Sequence, residues 1–326
     1  MISPAVEPTR NARALDHSRR IARVVIIGTG ALRHTRCFSQ AQRLKSLGDF
    51  SYCRTADVII IAARVQQRPE TVSRLDDLAQ SAAILRQIVE GIAGHDPSGI
   101  LLIASNPVDV LTYAAWKWSG LALNRVVGSG TSLDTSRFRR RLGERYGVAP
   151  ENVHAYIVGE HGDSQVPVLS SAQIAGIRLV EFCRGQGLPY EVAALKAIAN
   201  ETRAAGREIQ QAKGATYYGI GGALTRIATA ILRDEDAVLT VSNVVPEWMG
   251  LGSVSLSLPS VVNRAGIARV LPIALGRFGA FAMAGGSSAA FKTHLSARET
   301  QRHRRNNSML HKAPGTESFP AQLREW

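Results

Sequence analysis

Cysteine is scarce in this 326-residue chain: Cys37, Cys53 and Cys183 are odd in number and far apart. That excludes a disulfide framework and a four-ligand zinc site, and no metal is expected. It also points to a reducing, cytoplasmic compartment. No run reaches the roughly 18 apolar residues of a membrane span, and the first residues lack the apolar core of a secretory signal, so no membrane partner is expected. Proline is sparse at 13 residues against 29 glycines, and hydrophobic residues make up 45%. Fibrous, collagen-like and fully disordered classes are thereby excluded. Acidic residues are outnumbered, 26 to 39, for a formal charge of +13. The excess is concentrated at residues 1–23 and 277–326, which carry eight of those charges. With neither an aromatic-studded basic face nor a recognisable module, nucleic acid is not the expected partner, and the ends read as solvated basic tails.

Along the chain, residues 1–20 are Arg-rich and aperiodic and are expected to be disordered. Arg23–Ile27 is a β-branched run stopping at Gly28-Thr29-Gly30, as a buried strand entering a tight turn does. Asp57–Ala63, Gly99–Ser105 and Arg125–Ser129 read as three more strands that are apolar on both faces. Helices are expected from Asp76, where Leu78, Ala82, Leu85, Val89 and Ile92 keep helical spacing, over Val108–Gly120, and from Asp134 to Gly147. Alternating helices and fully apolar strands imply an α/β, doubly wound parallel sheet. The second half changes character. Val153–Gly159 and Val166–Leu169 read as strands flanking a polar loop. Tyr190–Lys213 and Gly222–Arg233 read as helices, and Ala237–Val245 with Val254–Val262 as an antiparallel pair. Together they suggest an α+β domain packed on the first.

Gly28 and Gly30 have the spacing of a dinucleotide turn, in which the first glycine permits the bend and the second lets backbone N–H groups approach a pyrophosphate. On its own such a turn is a weak signal. A lone histidine is more often structural than catalytic, yet His161 stands in the polar loop Gly159–Ser164 between two apolar strands. Asn106-Pro107-Val108-Asp109 follows one strand, and Leu133-Asp134-Thr135-Ser136-Arg137 opens the helix after another. Both stand at carboxyl ends of parallel strands, where open α/β sheets bind ligands. His161 as acid/base, Asp134 as its partner and Arg137 as a carboxylate clamp would make a complete site.

The segments QQRPETVSRLDDL, SNPVDVLTYAAWKWSG, VVGSGTSLDTSRFR, VHAYIVGEHGDSQVPV, KGATYYGIGGALTRIATAIL and SLSLPSVVNRAGIARVLPIAL are similar to those of the bacterial L-lactate dehydrogenases, in the lactate/malate dehydrogenase family. They run in family order over roughly residues 57–275. The resemblance implies a Rossmann-like NAD-binding domain at 21–130 and a substrate domain at 131–276. It implies that His161 protonates the carbonyl oxygen of pyruvate, that Asp134 orients it and stabilises the imidazolium, and that Arg137 grips the substrate carboxylate with a two-point fork. By the same resemblance Asn106 holds the substrate beside the nicotinamide, Arg74 polarises its carbonyl from a closing loop, and Thr216 lies on the substrate side. Gly28, Gly30, Ser105, Asn106 and Ser129 would contact NAD. Gln67 matches the position that separates lactate from malate enzymes, and a neutral residue there favours pyruvate over a dicarboxylate. Arg139 and His154 match an activator site for fructose 1,6-bisphosphate across an interface, within a homotetramer acting in pyruvate fermentation downstream of glycolysis.

The chain departs from that pattern in three places. Arg33 replaces the third glycine. Ala31–Phe50 is too short for the helix, second strand, helix and third strand that the family places there, since one βαβ unit alone takes about 30 residues. Part of the Rossmann domain is therefore expected to be missing between about 33 and 48, the second strand and its ribose-binding acid included. Residues 277–326 lack the amphipathic stripe of the family's last helix and read as an atypical, disordered tail. Three readings stand side by side: an L-lactate dehydrogenase, a malate or other 2-hydroxy-acid dehydrogenase, and a non-catalytic truncated remnant of the family.

Overall fold

The computed structural model describes residues 22–28, 42–43, 49–63, 74–213, 218–247 and 252–273, with residues 42, 43, 74–77, 210 and 213 described through their backbone alone. The segments 1–20 and 277–326, expected to be disordered, lie outside the described residues.

Four short apolar runs make the centre of the molecule. β1 (Val24–Ile27), β3 (Val58–Ile61), β4 (Ile100–Ile103) and β5 (Val126–Gly128) lie parallel, with β2 (Gln42–Arg43) paired outside β1. Every residue of β1, β3 and β4 is buried because both faces are covered. On one face Val25, Ile27, Ile59, Ile61, Leu101 and Ile103 pack against α1 (Arg74–Ala93) and α2 (Val108–Ser119) through Leu85, Ile88, Val89, Ile92, Leu111 and Ala115. Their alternates Val24, Ile26, Val58, Ile60, Ile100 and Leu102 meet Leu224, Ile227, Ala230 and Ile231 of α6 (Tyr218–Arg233) on the other. The period-two side-chain alternation of a strand divides each run between the two layers.

Two expectations need correction. β2 occupies part of the gap in which no second strand was expected, although it is only two residues long. The antiparallel pair forms as expected, but it belongs to the central sheet rather than to a second domain packed on it. β11 (Ala237–Val245), β12 (Val254–Asn263) and β13 (Gly266–Val270) continue the central sheet, because Ser242 of β11 pairs with Gly128 of β5. The result is one eight-stranded mixed sheet, in the order β13-β12-β11-β5-β4-β3-β1-β2.

α3 (Ser132–Tyr146) carries the chain from the end of β5 into a second apolar core. There Phe138 and Leu142 meet Val153 of β6 (Val153–His154), Ile174 of β9 (Gln173–Ile174), Cys183 of α4 (Leu179–Gly185) and Leu195 of α5 (Val192–Lys213). The strand expected over Val153–Gly159 is split. β6 pairs with β9, which also pairs with β10 (Ile177–Arg178), whereas β7 (Ile157–Val158) pairs with β8 (Val166–Pro167). That change of partner brings the loop after β7 back over the central sheet, where Gly159 exchanges two backbone hydrogen bonds with Ser257 of β12 (2.9 and 2.8 Å).

Candidate active site

The carboxyl ends of β1, β3, β4 and β5 open on one side of the sheet, and the functional side chains gather there. Gly28 ends β1 with φ +152°, and a Cβ on it would come within 2.6 Å of the Ala62 carbonyl oxygen after β3. Only glycine lets the two backbones approach so closely. Ser105 follows β4 and Ser129 follows β5, both buried, and the Ser129 N–H donates to the Ile103 carbonyl at 2.8 Å. Asn106 is exposed at the mouth, joined to Pro107 by a cis peptide bond. Gly130, at φ +52°, turns the chain into α3 where a Cβ would meet the Ser242 backbone at 2.5 Å.

α3 brings two charged groups onto one face. Asp134 stands in its first turn, where a carboxylate suits the positive end of the helix dipole, and Arg137 follows one turn later. Asp134 is 3% exposed and its Oδ2 lies 2.6 Å from His161 Nδ1. The other oxygen, Oδ1, faces Arg137 Nη1 at 3.9 Å. Burial alone would make His161 a weaker base, but the Asp134 hydrogen bond and charge outweigh it, helped by Asp109, and the imidazole holds its proton more tightly than a free histidine. With Nδ1 committed to Asp134, Nε2 is the nitrogen left to exchange a proton, and it has no hydrogen-bond partner among the described residues. The Arg137 side chain is 17% exposed and is penalised first by burial, an effect that Asp134 partly offsets. Gly206 and Gly219 flank its guanidinium, where a Cβ would lie 3.9 and 3.5 Å from Nη1 and Nη2.

His161, Asp134 and Arg137 are thus brought together, with Ser105, Asn106 and Ser129 at neighbouring strand ends. Gly30, Gln67 and Thr216 lie outside the described residues. Arg74 opens α1, but its side chain is also outside them. Arg139 and His154 stand apart from that group, on α3 and β6. The Arg139 Nε donates to the Ala155 carbonyl at 2.9 Å and the guanidinium lies 5.2 Å over the Tyr156 ring, while His154 is exposed at the end of β6. No cluster of three or more metal-ligating side chains occurs among the described residues, and no described helix is long and apolar enough to cross a membrane.

Sequence reasoning assigned no role to Asp109, Ser257 or Thr131. Asp109 is 1% exposed, accepts the His161 backbone N–H at 2.7 Å and receives the Ser257 hydroxyl at 3.1 Å. Burial, opposed by hydrogen bonds that favour the anion, pushes its carboxyl up to about 6. The Thr131 N–H donates to the same Ser257 hydroxyl at 3.2 Å, and the Thr131 hydroxyl donates to the Ile157 carbonyl at 2.5 Å. The available signal was a carboxylate in the first turn of an otherwise apolar helix, VDVLTYAAW.

Among the described residues, Gly28, Ser105 and Ser129 stand at the ends of β1, β4 and β5, where open α/β sheets bind ligands, and small residues there fit a dinucleotide. The ribose end differs, because residues 29–48 contain no Asp or Glu, and the described strand beside β1 is Gln42–Arg43.

Comparison with known proteins agrees with this architecture. Residues 23–128 match the model of the lactate/malate dehydrogenase NAD-binding domain, and residues 131–297 match that of the family's α/β C-terminal domain. An L-lactate dehydrogenase of Bacillus caldolyticus is 46% identical over 228 residues, which cover 70% of this chain and 71% of that protein. One from Geobacillus thermodenitrificans is 44% identical over 244 residues, covering 75% and 76%. Among solved structures, the ligand-bound minor L-lactate dehydrogenase of Enterococcus mundtii superimposes with a TM-score of 0.77 at 32% identity, over 85% of this chain and 98% of that one. With both domain models matched in order, the chain belongs to the NAD-dependent lactate/malate dehydrogenase family.

Proposed function

We propose that this chain is an L-lactate dehydrogenase, catalysing reversible NAD-dependent hydride transfer between (S)-lactate and pyruvate. The observation that carries the reading is the 2.6 Å contact between His161 Nδ1 and Asp134 Oδ2, with Arg137 one helical turn away. Arg137 binds the pyruvate carboxylate with two parallel N–H donors, which fixes the molecule's orientation as well as its charge. Asn106, at the mouth, holds the substrate near the nicotinamide. Bound NADH supplies the hydride to the carbonyl carbon. The His161 imidazolium gives its Nε2 proton to the carbonyl oxygen as negative charge develops there, and Asp134 keeps the ring in the tautomer that permits this. In the reverse direction neutral His161 removes the lactate hydroxyl proton. Because its affinity for the proton is raised, the acid form persists to higher pH, and pyruvate reduction falls as pH rises through that raised value.

Gln67, Arg74 and Thr216 take their roles from the family resemblance. Gln67 leaves a second carboxylate without a countercharge, Arg74 polarises the carbonyl, and Thr216 contacts the substrate. Arg139, bonded to the Ala155 carbonyl, and the exposed His154 are assigned to fructose 1,6-bisphosphate at a subunit interface of a homotetramer. Facing cations there would repel until the sugar bisphosphate neutralised them, so the ligand favours the assembled form. The free, buried Cys53 and Cys183 suit a cytoplasmic enzyme.

The test is to follow NADH oxidation by the purified full chain with pyruvate and, separately, with oxaloacetate. Faster turnover with pyruvate is expected. A preference for oxaloacetate would assign the chain to malate instead, and no turnover with either would make it a remnant.

A further inference from the structure

Asp109 sits on α2, in the half of the chain that carries the nucleotide turn, while His161 sits on a loop of the other half. The His161 loop and β12 both bond this one carboxylate. Oδ2 accepts the His161 backbone N–H at 2.7 Å, and Oδ1 accepts the Ser257 hydroxyl of β12 at 3.1 Å. Ser257 in turn holds Gly159, two residues before His161, by two backbone bonds, and its hydroxyl receives the N–H of Thr131 just ahead of α3. A buried carboxylate is costly without hydrogen bonds; these two, with the neighbouring Ser242 hydroxyl of β11 also favouring the anion, tie it to the catalytic loop and its support rather than to α2 itself.

We propose that Asp109 is a positioning residue for the lactate dehydrogenase reaction, fixing the backbone of His161 and placing a second negative charge near its imidazole. The inference rests on the catalytic reading of His161. Charged groups acting on that ring are Asp134 and Arg137 from α3 and Asp109 from α2, while β12 offers only the neutral Ser257 and Glu160 of the same loop acts on Asp109. Asp134 bonds the ring and Asp109 bonds the main chain, so the histidine is held at two points by two helices. Their separation matters because a proton donor displaced by about 1 Å loses on the order of 10²-fold in rate. The ionised Asp109 also favours the imidazolium, and this support weakens as Asp109 itself protonates near pH 6.

The experiment is an NMR titration of the His161 ring in the full chain, combined with steady-state pyruvate reduction. Asp109→Asn keeps the shape and an acceptor for the His161 N–H but removes the charge. The midpoint of His161 should fall by roughly half a unit to one unit, and the alkaline limb of kcat should move down with it. Asp109→Ala also removes the acceptor, and kcat should drop about 10- to 100-fold while the KM for pyruvate changes little. Ser257→Ala leaves the carboxylate but takes away one donor, and the His161 midpoint should fall by less than in Asp109→Asn. It serves in place of any Asp109 variant that fails to fold. An unchanged His161 midpoint in both Asp109→Asn and Ser257→Ala overturns the proposal. A His161→Gln variant that keeps its turnover overturns the catalytic reading instead, so the two failures are distinguishable.

Discussion

The substrate end and the adenosine end of this molecule are built to different standards. Around His161 a connected set of side chains holds the loop: Asp134 on the ring, Asp109 on the main chain, Ser257 between Asp109 and Thr131. At the outer edge of the sheet, β2 is a two-residue strand, and residues 29–48 hold no carboxylate for a ribose. On the proposed reading, the contrast teaches that proton transfer and substrate grip rest on a network that does not involve that edge.

The largest expected effect lies at the well-built end. His161→Gln should lower pyruvate reduction about 10²–10⁴-fold, the usual contribution of a positioned general acid, with NADH binding by fluorescence unchanged. Near-full activity would break the substrate half of the comparison. Arg137→Lys comes next. Lysine keeps the charge but loses the two-pronged geometry, so kcat/KM for pyruvate should fall about 10- to 100-fold, most of it in KM. Gln67→Arg should raise the ratio of oxaloacetate to pyruvate turnover by about tenfold or more, by supplying a partner for the second carboxylate. Unchanged ratios would place Gln67 outside the pocket. The smallest effect belongs to the shortened end. With no acidic residue for the ribose hydroxyls, binding of NADH and NADPH should both be weak and should differ by less than about tenfold. Tight, NADH-selective binding in a fluorescence titration would show that another carboxylate performs that role.

Much of this architecture could be read from the sequence because it rests on local patterns. VVII, VIII and ILLI are apolar at every position, and only a strand covered on both faces requires that. The helical spacing of Leu85, Val89 and Ile92 is likewise visible without a structure. The connection that merges β11 with β5 is long-range and leaves no local trace: one pairing, Ser242 with Gly128, decides whether there are one or two sheets. The split of Val153–Gly159 into β6 and β7 depends similarly on which strands lie alongside. At the site, His161, Asp134 and Arg137 stood out as polar groups next to apolar elements. Asp109 did not, because its significance comes from a main-chain N–H 52 residues away, and composition and period do not register such a contact.

The comparison between the two ends is tested most directly by pyruvate-dependent oxidation of NADH and of NADPH, side by side, in the parent chain and in His161→Gln. The expected result is parent turnover with both cofactors at kcat/KM values within about tenfold, and loss of at least about 10²-fold with both in the variant. Turnover that survives the loss of His161 would contradict the account.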